Sequence, residues 1–351
     1  MNTTTVTNHA LPFDPAALES YLARHIDGFH GPLTATRFNG GQSNPTWRLH
    51  TPQGDYAMRC KPAPSAQLLP SAHAIEREYR VQSALVDSAV PVASMHCLCT
   101  DETIIGVAFY VMAHVDGRIF WDQSLPGMER EDRAAIYDEL NRVVAALHSV
   151  DINASGLDDY GKPGNYFSRQ IDRWTRQYRA SETATIDAME RLLGWLPQHV
   201  PHEDTPQVTL VHGDYRLDNA IFHPTEPRIL ALIDWELSTL GHPLADLAYH
   251  TMSWHLPPGV LRGLGGLDLA ALGIPDENAY LRRYQQRSGR PISGDWNFYL
   301  AYNLFRIAAI LQGVGRRARD GTASSERAAS YGAQVLPLAE LGWQFACKAA
   351  D

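Results

Sequence analysis

Between Leu210 and Tyr249 the chain reads LVHGDYRLDNAIFHPTEPRILALIDWELSTLGHPLADLAY, and this stretch constrains the whole. Two acidic residues each follow a short apolar run of strand type: Asp214 after residues 208–211, and Asp234 after residues 229–233. Asn219 stands five positions beyond Asp214. A His-x-Asp with an asparagine at that offset, and a second aspartate closing the next strand, suits metal-assisted phosphoryl transfer. A transferring phosphoryl group is negatively charged, and its acceptor hydroxyl is a poor nucleophile until its proton is placed. Such a site needs a divalent cation on the phosphates and a carboxylate on the hydroxyl. Asp214 suits the carboxylate role. Asn219 and Asp234 suit Mg²⁺, a hard ion that takes oxygen ligands. Arg216 can reach the γ-phosphate of ATP from the same loop, and His212 is read as a packed residue supporting it.

Upstream, Asp14–His25 has helical spacing behind an Asp14 cap with Pro15 in the first turn. Three strands are expected at Leu33–Phe38, Thr46–His50 and Tyr56–Cys60, joined by turn-rich linkers into an antiparallel meander. The first linker, residues 39–44 (NGGQSN), can hold nucleotide phosphates through backbone N–H groups, with Gly41, Ser43 and Asn44 as candidates. An ordinary hairpin turn is its plain alternative. Alternation along the third strand puts Tyr56, Met58 and Cys60 on one face, and Ala57, Arg59 and Lys61 on the other. Arg59 is the first choice for the phosphate-holding cation and Lys61 the second. Residues 73–86 are expected to form a helix whose Glu76 or Glu78 pairs with that cation, Glu78 suiting the role better.

An apolar strand is expected at Ile104–Met112, and Ala113-His114-Val115-Asp116-Gly117 breaks it. This break marks a boundary between residues 1–115, a nucleotide-binding lobe, and residues 116–351, a catalytic and acceptor-binding lobe. Backbone groups of His114 or Val115 are candidates for the adenine ring. Glu131–Val150 is expected to be helical, residues 151–168 loop-rich, and Arg169–Ala180 and Thr183–Leu196 helical again. A last large helix, from near Trp296, is apolar nearly all round until Gly313. Arg306 interrupts it, and a charge there must be paired or face a cleft. Arg316, Arg317 and Arg319 crowd its end, where basic residues also serve helix stability alone.

A net charge of −9 over 351 residues argues against nucleic acid as a general partner. The four cysteines lack zinc-finger spacing and are read as reduced structural thiols. The N-terminal residues lack a secretory pattern, and no apolar run approaches the ~20 residues that span a bilayer. A cytoplasmic location, without membrane contact, is therefore expected.

HGDYRLDN, IDWELSTLGHPLADLAY, FNGGQSNPTWRL and the Arg59–Lys61 strand together resemble the aminoglycoside phosphotransferase/choline kinase family, a small-molecule branch of the protein-kinase-like fold. The resemblance covers nearly the whole chain. It implies an α+β fold of two lobes, a small antiparallel sheet and a larger, mainly helical part. It also implies Asp214 as catalytic aspartate, Asn219 and Asp234 on magnesium, and Asp246 bracing the catalytic loop. ALHSVD, YGKPGNYFSRQIDRW and LFRIAAILQG are further similar to the kinase-like domain fused to some acyl-CoA dehydrogenases, and to free-standing bacterial relatives. That branch implies hydroxyacyl-CoA or hydroxy-acid acceptors. Arg59 stands where many kinases have lysine, so its grip on phosphate would be forked. His114 replaces an acidic hinge residue, which leaves GTP open beside ATP.

Three functions follow. The first is an ATP- and Mg²⁺-dependent kinase acting on an anionic hydroxyl-bearing small molecule, with Arg306 and Arg316 as acceptor contacts. The second is an aminoglycoside or choline-like alcohol phosphotransferase, and the polycationic aminoglycosides would need carboxylates instead. The third is a nucleotide-binding regulator without catalysis, which the intact Asp214, Asn219 and Asp234 disfavour.

Overall fold

The computed structural model describes residues 11–38, 44–62, 74–202, 207–261, 263–321 and 328–349. In chain order, helix α1 (Pro15–His25) precedes strands β1 (Thr34–Arg37), β2 (Thr46–Thr51) and β3 (Gly54–Cys60). Helix α2 (Ile75–Leu85) and strands β4 (Met95–Cys99) and β5 (Phe109–Ala113) follow. Helices α3 (Arg130–His148), α4 (Tyr166–Ser181) and α5 (Asp187–Trp195) lead into β6 (Thr209–Val211), β7 (Ala220–Phe222), β8 (Ile229–Leu232) and β9 (Thr239–Gly241). The remainder is helical: α6 (Pro243–Thr251), α7 (Leu269–Leu272), α8 (Glu277–Ser288), α9 (Trp296–Arg319), α10 (Ala328–Gly332) and α11 (Val335–Ala349).

Packing divides the chain into two compact units, one of Met1–Ile119 with Asn219–Leu237, the other of Phe120–Asp218 with Ser238–Asp351. This differs from the single cut at 115/116 expected from sequence. The physical reason lies in the β7–β8 hairpin. Arg118 and Phe222 exchange backbone hydrogen bonds of 2.8 Å, and the Leu232 N–H donates to the Pro91 carbonyl at 2.8 Å.

The first unit holds an antiparallel sheet of order β1-β2-β3-β5-β4. Alternation sorts its side chains as the sequence implies. Met58, Cys60, Phe109 and Val111 join Leu18, Tyr21 and Leu22 of α1 in one core. Tyr110 and Ala108 face the other way and pack with Ile75 of α2. Arg59 is the register partner of Tyr110. Helix α1 starts where expected, its Ala16 N–H bonded to the Asp14 carboxylate at 2.9 Å. The expected strand at 104–112 is shorter, beginning only at Phe109. Asp101 folds an Asx turn onto Thr103, and Gly106 at φ +87° turns the chain before the apolar run can extend. Ile105 is nonetheless buried in the core.

In the second unit α9 is the central helix, buried from Phe298 through most of its length to Val314 and packed against α4, α6 and α11. Strands β6 and β9 pair antiparallel, Thr209 opposite Gly241. Helix α4 begins at Tyr166, three residues before the expected start, because Asn165 turns into it with a left-handed backbone (φ +47°) rather than a side-chain cap. Among the described residues no helix is long and apolar enough to cross a membrane. Cys60, Cys97 and Cys99 are buried free thiols, and Cys347 is exposed.

Candidate active site

In the first unit the sheet presents Arg59 to a set of carboxylates. Its Nε lies 2.9 Å from Glu78 Oε2, and its Nη2 donates to Asp234 Oδ1 at 2.8 Å, with Glu236 Oε2 at 3.7 Å. Glu78 is only 2% exposed. Asn44 Nδ2 donates to its Oε1 at 2.8 Å, and the Tyr110 hydroxyl to its Oε2 at 3.2 Å. Burial, with Asp234 adding repulsion, raises the Glu78 carboxyl above its ordinary value although Arg59, Asn44 and Tyr110 pull it down. Lys61 takes the other glutamate, with its Nζ 2.5 Å from Glu76. Arg59 is thus paired with the buried Glu78, and Lys61 with the more exposed Glu76.

Asp234 carries a second mark. Its φ of +67° is left-handed, a conformation Asp tolerates better than most residues but which still costs about 1–3 kcal/mol. The fork of Arg59 helps hold it there. The Ile233 N–H donates to the Asn219 carbonyl at 2.9 Å, which seats Asn219 beside the residue preceding Asp234. An asparagine amide and a carboxylate at one end of a hairpin form a hard-oxygen pair. Mg²⁺ commonly uses one or two carboxylates and completes its shell with phosphates and water, so this pair fits it. Among the described residues no group of three or more His, Cys, Asp and Glu side chains could cage a metal unaided.

Just past the end of β5 the His114 ring lies parallel to Phe38, centroids 6.0 Å apart, and its backbone N–H donates to the Asp55 carbonyl at 3.4 Å. Burial, with Arg48 nearby, lowers the imidazole below its usual value. Val115 follows, partly buried. Gly41 and Ser43 lie outside the described residues.

The second unit contains the Asp214 loop. Gly213 has φ +82°, a backbone only glycine adopts readily, and it delivers the chain from β6 into the loop. The Asp246 carboxylate accepts the N–H of His212 at 2.5 Å and that of Gly213 at 2.8 Å. His212, fully buried, accepts the Asp214 N–H on Nδ1 at 3.2 Å. Burial raises the Asp246 carboxyl, but the His148 hydrogen bond, the His148 and His212 charges and the Gly213 N–H outweigh it, and its pKa falls below the ordinary value.

Asp214 itself is 17% exposed, with Arg216 Nε 3.2 Å from its Oδ1 and Arg216 Nη2 3.4 Å from Asp218 Oδ2. Burial raises its carboxyl, while Arg216, a Tyr249 hydrogen bond, Arg306 and His212 together lower it below the ordinary value. A carboxylate that stays ionised, in a braced loop, can orient a hydroxyl and receive its proton.

The expected acceptor contacts need correction. Arg306 is 5% exposed and spends its Nη2 on the Gly213 carbonyl, so it lies behind the loop rather than on a cleft wall. Arg316 pairs with Asp320 at 2.7 Å on the exposed helix end, ten residues and ~15 Å along α9 from Arg306. The plain alternative, helix-end stabilisation, describes Arg316. Sequence reasoning missed Tyr249 and Glu236. Tyr249 lies three residues after Asp246, hence on the same face of α6, and Glu236 two after Asp234. A cavity of about 380 Å³ was also missed; Lys162, Phe167, His202, Val208 and Leu240 line it, at the end of β6 opposite Asp214.

The phosphotransferase enzyme family model matches residues 34–302. Acyl-CoA dehydrogenase family member 10 of Mus musculus is 49% identical over 343 residues, covering 97% of this chain and 31% of that protein. Acyl-CoA dehydrogenase family member 11 of Rattus norvegicus is 44% identical over 355 residues, covering 98% of this chain and 45% of that protein. The chain thus spans less than half the length of these curated relatives. A crystal structure from Ralstonia eutropha, assigned as an aminoglycoside phosphotransferase, is 60% identical with a TM-score of 0.88, covering 96% of this chain and 99% of that one. Aminoglycoside phosphotransferase APH(4)-Ia with ADP and hygromycin B is 15% identical (TM-score 0.61, covering 94% and 98%), a likeness of fold alone. This chain belongs to the phosphotransferase enzyme family.

Proposed function

We propose that the chain transfers the γ-phosphate of ATP to the hydroxyl of a hydroxyacyl-CoA or a hydroxy acid, with Asp214 as the catalytic carboxylate. The observation that carries the reaction is the Asp214 loop: a carboxylate held ionised by Arg216 and Tyr249, on a backbone fixed by Asp246. Asp214 orients the acceptor hydroxyl and takes its proton as the bond to phosphorus forms, while Arg216 neutralises charge beside it. Asn219 and Asp234 would hold Mg²⁺, which when bound neutralises phosphate charge. Arg59, fixed by Glu78, would meet the nucleotide phosphates, with Gly41, Ser43, Asn44 and Lys61 around them and His114 or Val115 at the base.

The acceptor class rests on the relatives, whose names join this kind of domain to acyl-CoA chemistry at 49% and 44% identity. Arg306 and Arg316, engaged with the Gly213 carbonyl and Asp320, take no part in it. We place the remote end of the acceptor in the cavity by Lys162 and Phe167, which combines cationic and apolar walls. A second reading, phosphorylation of an aminoglycoside, is favoured by the assignment of the Ralstonia protein. Asp214→Ala should lower kcat by about 10²–10⁴-fold, measured as ADP release from Mg²⁺-ATP with the responding acceptor. Near-normal turnover in that variant would remove Asp214 from the mechanism.

A further inference from the structure

A guanidinium in the middle of a buried helix requires a reason, because an unpaired buried charge is strongly destabilising. Arg306 of α9 donates through Nη2 to the Gly213 carbonyl. Its guanidinium carbon lies 4.8 Å from the Tyr249 ring centroid and 5.5 Å from that of Trp174. Such stacking suits a planar, weakly hydrated cation. Tyr249, 4% exposed on α6, hydrogen-bonds the Asp214 carboxylate through its hydroxyl. Gly213 is therefore held at both of its backbone polar groups, its N–H by Asp246 and its carbonyl by Arg306. The next residue's carboxylate is held by Tyr249. Three helices meet there: α4 through Trp174, α6 through Tyr249 and α9 through Arg306.

We propose that Arg306 and Tyr249 are positioning residues for phosphoryl transfer, fixing the direction and the charge of the Asp214 carboxylate from behind the loop. The proposal rests on Asp214 being the catalytic carboxylate. Neither residue needs to touch substrate. The charged and titratable groups facing Asp214 are Arg216 and His212 from its own loop, Tyr249 from α6 and Arg306 from α9. Arg306 itself faces Tyr302, Tyr249, Tyr166 and Asp214, with Arg173 of α4 as a like charge nearby. A hydrogen bond donated to the ionised carboxylate favours that form, so losing it raises the pH at which Asp214 gains a proton. Losing Arg306 frees the Gly213 carbonyl and removes a nearby positive charge, so it changes both geometry and titration.

The test uses Arg306→Lys, Arg306→Met, Tyr249→Phe and Asp214→Asn in the full chain. One readout is ADP formation from Mg²⁺-ATP with the responding acceptor, with kcat and KM resolved across pH. The other is carbodiimide labelling of the Asp214 carboxyl across pH, read by peptide mass spectrometry, which needs no acceptor. Tyr249→Phe is expected to label at higher pH than wild type and to move the acid limb of kcat upward. Arg306→Met is expected to lower kcat roughly 10–100-fold with little change in the KM for ATP, as displacing a catalytic group by ~1 Å does. Arg306→Lys should recover only part of this. If Arg306→Met fails to fold, Tyr249→Phe and Arg306→Lys decide. Labelling and kcat profiles of those two variants that coincide with wild type overturn the proposal. Asp214→Asn separates the two ideas. Full turnover there removes the catalytic reading, whereas loss of turnover beside wild-type-like Tyr249→Phe and Arg306→Lys removes this inference alone.

Discussion

Asp246 shows what a single residue does in this protein. Its carboxylate accepts two consecutive backbone N–H groups of the Asp214 loop and is 1% exposed. Its pKa is lowered by folding, so its contribution to stability is present above the unfolded value of ~3.9 and is lost as pH falls through the folded one. Asp246→Asn can accept only one of the two N–H groups and turns an amide donor on the other. Chemical unfolding near neutral pH should show a loss of about 1.5–3 kcal/mol. That difference should narrow once pH drops below about 4. A difference independent of pH would contradict a role for the ionised form. Arg59 makes the complementary case. Arg59→Met leaves Glu78 charged and buried, and should cost about 3–5 kcal/mol in urea unfolding, whereas adding Glu78→Gln should recover part of the loss. An additive double variant would show that the pair is not coupled. At this scale Asp214, Asn219 and Asp234 stand out as candidates in the sequence because phosphoryl transfer asks for that spacing. Tyr249 was not, because its role depends on where α6 lies against the loop.

Among the elements, periodicity read well wherever one packing environment governs a segment. Helix α9 is apolar almost all round and is buried as that pattern requires. The strand alternation at Arg59 also held, since each face of that sheet meets a different helix. It failed where a backbone conformation decides. Ile104–Val107 are apolar, but the left-handed Gly106 and the Asp101 turn make them a core-filling loop. Asn165 opens α4 through a left-handed backbone, so the start of α4 carries no side-chain cap to find. The break expected at residues 113–117 includes Gly117, which packs closely against the β7–β8 hairpin. A Cβ on Gly117 would lie 2.3 Å from the Phe222 carbonyl oxygen and 2.6 Å from Ile221 Cγ2. Gly117→Ala must push the β7–β8 hairpin away, and should lower stability by about 1–3 kcal/mol in denaturant unfolding. An unchanged midpoint would show that the hairpin yields freely.

For the whole molecule, one chain makes two compact units, and its active-site candidates are divided between them. Asn219 and Asp234 belong with the sheet, Asp214 and Arg216 with the helices. The division crosses the chain between Asp218 and Asn219, within the motif that the sequence presents as continuous. The expected linear boundary at 115/116 falls close to the first crossing, at Ile119. The curated relatives carry this kind of domain within proteins more than twice its length. The decisive measurement is ADP release from Mg²⁺-ATP with hydroxyacyl-CoAs, free hydroxy acids, choline-like alcohols and aminoglycosides, with the product identified by mass spectrometry. We predict a phosphate ester on the hydroxyl of a hydroxyacyl-CoA or hydroxy acid, formed by wild type and lost in Asp214→Asn. Turnover with aminoglycosides alone would contradict it.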